Sequence, residues 1–189
     1  MSRLHVLLSQ PKLALGALLT LLLAAGAVVG SGADFTASSA NPNNTFASGT
    51  LSISNSREGL SILTASNMRP GDPATVGLVD IKNTGSLSGV FTLVRGALTN
   101  TDTTNPMSGK LNVNVTDCGT FAGATPPACG DIDDVVRYTG TLTAMATSPL
   151  GTYLANEQHR YKFSVALDSS ANDLYQGDSS TVEFDFNAA

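Results

Sequence analysis

The sequence is poor in the residues on which most catalytic sites depend. Its 189 residues include no tryptophan, two cysteines and two histidines, and aromatic residues make up only 6%. Outside the first 33 residues the only histidine is His159, and no H-E-x-x-H motif is present. A zinc peptidase needs several metal ligands, and a Ser-His-Asp triad would have to be built around this one imidazole. The composition therefore argues against an enzyme, and we expect His159 at the surface or at the start of a strand.

Other ligand-binding signatures are weak or missing. The chain has neither G-x-S-x-G nor a glycine-rich phosphate loop. Its one acidic cluster comprises Asp131, Asp133 and Asp134, whose spacing does not match an EF-hand loop. A solvated acidic turn is the expected structure there, and these carboxylates are only weak candidates for a metal site. No cofactor is predicted.

Residues 1–33 have the features of a secretory signal peptide. Arg3 and Lys12 precede an apolar stretch over residues 13–29, which closes on the small residues 31–33. This pattern predicts cleavage by a signal peptidase between Ala33 and Asp34. An uncleaved membrane anchor is the alternative, because the run is about as long as the roughly 20 residues that span a bilayer.

The remaining 156 residues are predicted to form one acidic, exported domain. Loss of Arg3 and Lys12 leaves eight Lys and Arg against 15 Asp and Glu, a net charge of −7. Such a surface disfavours nucleic acid as a partner. Export permits a disulfide between Cys118 and Cys129, with a pair of free thiols or a metal site as the alternative. Closing this short loop would stabilise the fold by about 3 kcal/mol.

Strand patterns dominate the exported part, and no convincing amphipathic helix is found. Apolar and polar residues alternate, or apolar runs occur between turn signals, at residues 51–54, 76–81, 90–94, 111–116, 160–167 and 181–186. Turn signals recur every 8–12 residues, which is typical of a sandwich or barrel. We predict an all-β, two-sheet antiparallel sandwich of about eight strands over residues 49–189, with jelly-roll or immunoglobulin-like connectivity left open.

Several segments are predicted to lie outside the strands. Residues 100–109 and 119–134 are expected to be loops, and residues 146–158 to be a loop or a short helical turn. Pro70, Gly71 and Asp72 predict a turn, and Asn83 with Gly85 can close a hairpin between two apolar runs.

The N-terminal arm, residues 34–48, is polar and irregular, with Phe35 and Phe46 as its only large apolar residues. A frayed chain end is one interpretation. The other is a strand that inserts into a neighbouring subunit and completes an open sheet edge.

Four short motifs occur in a recognisable order behind the export signal. They are Thr45-Phe46-Ala47-Ser48-Gly49-Thr50-Leu51, Asn67-Met68-Arg69-Pro70-Gly71-Asp72, Lys82-Asn83-Thr84-Gly85-Ser86-Leu87 and Tyr175-Gln176-Gly177-Asp178. Their order resembles the TasA/camelysin family of biofilm matrix proteins, and residues 32–35 resemble that family's cleavage site.

The resemblance implies a secreted fibre subunit that polymerises by donor-strand exchange through its N-terminal arm. The expected partners are further copies of the chain, an accessory matrix protein and the signal peptidase. A camelysin-like surface metallopeptidase and a monomeric adhesive module are the alternatives. The chain departs from the family in its shorter domain and in its pair of cysteines.

Overall fold

The computed structural model describes residues 12, 15–20 and 47–189. Residues 15–20 are helical, and within the described residues no helix is both long and apolar enough to cross a membrane. Ala47–Ala189 forms a compact unit of its own. The predicted cleavage site at Ala33 and Asp34, and the two arm residues Phe35 and Phe46, lie outside the described residues.

The compact unit is an antiparallel β-sandwich, as the strand patterns predicted. It contains β1 (Ile53–Asn55), β2 (Thr75–Asn83), β3 (Gly89–Asn100), β4 (Leu111–Thr120), β5 (Val135–Thr141), β6 (Thr147–Tyr153), β7 (Gln158–Leu167) and β8 (Ser180–Ala188), with short 3-10 turns at Met107–Gly109 and Asp173–Tyr175. One sheet has the strand order β1-β2-β7-β4-β5 and the other the order β6-β3-β8.

The connectivity is that of a jelly roll. β2 pairs with β7, β3 with β6 and β4 with β5, as if one long hairpin had been rolled into two facing sheets. In a complete roll the first and last strands would pair as well. Here β1 instead pairs with β2, by only three residues, and β8 forms an edge of the smaller sheet.

The core forms where the alternating apolar residues of the two sheets meet, because each strand presents every second side chain to the interior. Its largest fully buried apolar side chains are Tyr153, Tyr161, Phe91, Phe163, Ile81, Leu93, Met145 and Leu150. Apolar residues of β8 pack against this core but are only partly buried.

Two strands were not predicted. β5 was missed, and β6 lies within residues 146–158, where the prediction of a loop or helical turn is wrong. β6 contains Pro149 and Gly151, which read as turn residues, but an edge strand tolerates both. In β5 the pairing with β4 shifts at Arg137, so the apolar alternation that identifies a strand is interrupted.

The two predicted turns have different outcomes. Pro70 and Gly71 form the expected turn, closed by a 3.1 Å hydrogen bond from the Asp72 N–H to the Arg69 carbonyl, and Gly71 has a φ of +82°. The hairpin expected at Asn83 and Gly85 is wrong, because β2 and β3 belong to different sheets.

Asn83 is a buried anchor for the connection between the sheets. Its amide donates to the carbonyls of Leu87 at 2.7 Å and Leu154 at 3.1 Å, and its Oδ1 accepts from the Gly85 N–H at 2.9 Å. The residue is fully buried, so these bonds satisfy groups that water does not reach.

Replacement of Asn83 by alanine should lower the free energy of unfolding by about 2–4 kcal/mol, because several buried polar groups lose their partner. Urea unfolding followed by circular dichroism measures the change. Asn187→Ala, at an exposed position of β8, is the matched control and should change stability by less than about 0.5 kcal/mol. Equal effects of the two substitutions would contradict the anchoring role.

Candidate assembly site

The outer side of β8 has no strand partner among residues 47–189. Its ladder with β3 is fixed at both ends. Val90 and Ala189 exchange hydrogen bonds of 2.8 and 3.1 Å, and the Thr101 N–H donates to the Ser179 carbonyl at 3.1 Å. Because backbone groups alternate sides along an antiparallel strand, the N–H and C=O groups of Val182, Phe184 and Phe186 point away from β3. Those groups form a free hydrogen-bonding edge.

The other sheet edges are less suited to pairing. β1 has three residues, β6 carries Pro149 and an extra residue opposite β3, and β5 carries the extra residue Arg137. Short edges, prolines and bulges are the features by which proteins block edge-to-edge association. β8 has nine residues and no extra residue, since the bulge in its pairing lies in β3 at Gly96 and Ala97.

An open groove, which we call the β8 groove, runs along the free side of β8. It consists of two adjoining clefts that share Ser61, Ile62, Val182 and Phe184. The deep cleft, at the start of β8, has a volume of about 840 Å³. The shallow cleft, at the end of β8, has a volume of about 720 Å³. The opposite wall is the chain between β1 and β2, so the groove lies where a jelly roll would place a strand beside β8.

The clefts differ in what forms their floor. Five buried core residues line the deep cleft, namely Leu111, Leu142, Val165, Leu167 and Ala171. The apolar lining of the shallow cleft, by contrast, consists of residues that are themselves partly exposed, such as Ile53, Leu60 and Phe186. The core is therefore open to the groove at the deep cleft.

The chain joins the sandwich just after the predicted arm. The Ser86 N–H donates to the Thr50 carbonyl at 2.8 Å, and the Thr50 N–H donates to the Ser86 hydroxyl at 2.9 Å. A Cβ on Gly49 would overlap the exposed Leu87 side chain, so any larger residue here would have to displace it. These contacts hold the base of the arm against its own subunit.

A polar cluster centred on the buried Asp117, with partly buried neighbours, lies between β4, β5 and β7. His159 Nδ1 lies 3.0 Å from Asp117 Oδ1, and its Nε2 lies 3.1 Å from Glu157 Oε1. Arg137 donates to Asp117 at 2.8 Å. The Tyr153 ring stacks on His159 at 4.2 Å between centroids, and its hydroxyl forms a hydrogen bond with that of Tyr161.

This arrangement favours the ionised forms of the central pair. Burial opposes the charge on His159, but the hydrogen bonds and charges of Asp117 and Glu157 outweigh it, and the pKa of His159 is raised above 6.5. Burial likewise opposes the charge on Asp117, yet its bonds from His159 and Arg137 lower the pKa of Asp117 overall. His159 is thus at the start of β7 as predicted, but as a bridging residue in a nearly buried network.

The cysteines and the acidic cluster lie in the loop next to this network. Cys118 and Cys129 form the predicted disulfide, with 5.0 Å between their Cα atoms. Asp131 and Asp133 are exposed, and the Asp134 carboxylate accepts from the Gly130 N–H at 2.7 Å. Across the part of the chain that the structure describes, no group of three His, Cys, Asp or Glu side chains is placed to hold a metal ion.

The sequence predicts a strand at residues 181–186 but not the position of its two phenylalanines on a groove wall. The alternation of residues 181–186 was visible, but which strand would be an edge depends on the sheet order. The hydrogen bonds of Asp117 with His159, 42 residues away, likewise left no local signal. A comparison with known protein families and curated proteins finds no match to this chain.

The raised pKa of His159 predicts stability that depends on pH. Its bridge should contribute fully below the unfolded pKa of about 6.5 and be lost as pH rises through the higher folded pKa. We expect the urea midpoint of the native protein to fall between pH 6 and pH 9. The lowered pKa of Asp117 keeps that carboxylate ionised in this window, so His159→Gln should remove most of the slope. A native midpoint that is constant over this range would contradict the bridge.

Proposed function

We propose that this protein is a secreted structural subunit of extracellular, biofilm-type matrix fibres. In this proposal the N-terminal arm of one copy inserts beside β8 of the next copy and completes its sandwich. The observation that carries the proposal is the unprotected nine-residue edge of β8 next to a groove that reaches the core. An extended segment laid in that groove would gain main-chain hydrogen bonds on one side and cover apolar side chains below.

The dimensions of arm and groove agree. β8 is nine residues long, which corresponds to about 30 Å of strand. Residues 34–48 are 15 residues and can reach about 50 Å when extended. The arm is therefore long enough to lie along much of the edge and still leave residues that connect it to its own subunit, which it joins at Gly49 and Thr50.

The chemistry of the arm also suits insertion. It contains no Lys, Arg, Glu or His, and Asp34 is its only charged side chain. Burial of such a segment removes few charges from water, which is the main obstacle to inserting a polar strand. The disulfide supports export, because disulfides persist in oxidising compartments. The resemblance to TasA-like proteins points in the same direction, and the proposal assigns no catalytic role or cofactor to the chain.

Removal of the arm tests the proposal directly. Residues 34–189 should form filaments visible by electron microscopy, whereas residues 49–189 should remain monomeric. The shorter chain is expected to fold, because the core lies within Ala47–Ala189. Sedimentation gives the assembled fraction, and circular dichroism checks the fold. Filaments from both chains, or from neither, would contradict assembly through the arm.

A proline in β8 should block docking from the acceptor side. Val182→Pro removes an N–H that points into the groove and not towards β3, so the existing ladder keeps its hydrogen bonds. Val182→Ala is the matched control, since it loses the two side-chain methyl groups of valine but keeps the N–H. We expect the proline variant to stay folded and to assemble at least about tenfold less than the alanine variant, a difference that corresponds to about 1.4 kcal/mol. Equal assembly of the two would exclude β8 as the acceptor edge.

A further inference from the structure

The sequence of the N-terminal arm limits which of its residues can enter the β8 groove as a strand. Pro42 has no N–H and disfavours a position inside a sheet. Phe35 and Phe46 are separated by an odd number of positions, so an unbroken strand would direct them to opposite faces. The segment before the proline, residues 34–40, therefore offers one large apolar side chain, Phe35. The other residues on its face, Ala37 and Ser39, are small.

The groove, like this segment, has one end that suits a large side chain and one end that suits small side chains. The deep cleft reaches the buried residues Leu111 and Val165, and it can take a large ring. The shallow cleft is lined by side chains that are already partly exposed, and small residues suffice to cover Phe186 there. A segment with Phe35 over the start of β8 and small residues over its end matches both clefts, whereas the reversed segment leaves the deep cleft unfilled.

The deep cleft also carries a carboxylate with one unpartnered oxygen. Asp178 lines this cleft, and its Oδ1 accepts a hydrogen bond from the Thr101 hydroxyl at 3.2 Å. Its Oδ2 is buried and has no hydrogen-bond partner among the described residues. A buried acceptor without a partner is costly, so a cation that enters the cleft gains a strong charge-assisted bond once the Asp178 side chain rotates to present Oδ2. After cleavage at Ala33 the one cation of the arm is its α-ammonium group, on the residue before Phe35.

Taking the proposed function as given, we infer that the arm docks parallel to β8, with Phe35 in the deep cleft and its free amino group beside Asp178. Arg69 lines the same cleft and can receive the side-chain carboxylate of Asp34. An arm parallel to β8 also runs antiparallel to the chain that forms the opposite wall. In this arrangement the amino group created by signal-peptide cleavage is part of the recognised ligand, so the precursor docks less well than the processed chain.

Cysteine pairs can determine the polarity of the arm. A disulfide needs Cα atoms about 4.4–6.8 Å apart, and Glu183 and Asn187 are separated by about 14 Å along β8. In filaments of residues 34–189 under mild oxidation, Thr36→Cys with Glu183→Cys should give a ladder of covalent multimers on non-reducing gels. Thr36→Cys with Asn187→Cys should give little.

Each outcome of this test has a distinct meaning. The reverse pattern would overturn the parallel polarity while leaving fibre assembly intact. Filaments in which neither pair cross-links would exclude the β8 groove. A disulfide within single chains, without a ladder, would mean that each arm fills its own groove. Absence of filaments from the unmodified chain would instead contradict the proposed function itself.

The amino group is tested on the same filaments. Acetylation of the N-terminus should raise the concentration needed for assembly about tenfold, as expected for the loss of one charge-assisted hydrogen bond. In Asp178→Asn the acetyl group should make no further difference, because the two changes remove the same interaction. Acetylated and free chains that assemble equally well would overturn the role of Asp178.

Discussion

Backbone N–H and C=O groups in a strand need hydrogen-bond partners on both sides. Where this sandwich fails to supply them determines where its core is open and where another strand can bind. β2, β3, β4 and β7 have a neighbouring strand on each side. β8 has one on only one side among residues 47–189, and its apolar side chains are correspondingly half-buried. The hydrogen-bonding deficit and the opening in the core thus occur at the same place. A single added strand would remove both, because it would bring main-chain partners and cover the exposed rings.

The free edge of β8 is nevertheless held in a defined position by aromatic side chains of β7 in the facing sheet. Phe163 of β7 packs on Phe184 with 5.0 Å between ring centroids, and Tyr161 lies 6.3 Å from Phe186. Tyr161 in turn bonds to Tyr153, which stacks on His159 and so connects to the buried ion pairs with Asp117. Strand β7 therefore links the polar cluster around Asp117 to the open groove. A preformed acceptor of this kind loses little conformational entropy when a strand binds.

Local alternation was enough to predict the fold class, but not the order of the strands. Segments with clean alternation, such as residues 111–116 and 160–167, became β4 and β7 because one face of each is buried. β5 and β6 were missed for a shared physical reason: edge strands accept bulges, proline and glycine, and these interrupt the alternation.

The groove depends on contacts that are distant in sequence. Asn83 looked like a hairpin residue, since nothing local shows that its amide would bond to the Leu154 carbonyl, 71 residues away. The deep cleft likewise brings Ile62, Leu111 and Phe184 together from three separate parts of the chain.

The small residues of the arm raise the question of how a strand with few anchors would find one register. Main-chain hydrogen bonds are the same at every register, so they supply affinity without selecting an alignment. If the arm shifted by one residue along β8, Phe35 would point out of the groove. If it shifted by two, the Phe35 ring would move from the deep cleft towards the shallow cleft. One large side chain, opposite the only part of the groove that reaches the core, is therefore sufficient to define the alignment. Because the other residues on its face are small, the arm offers no second anchor that would favour another register, and in the proposed assembly its composition contributes to the specificity of docking.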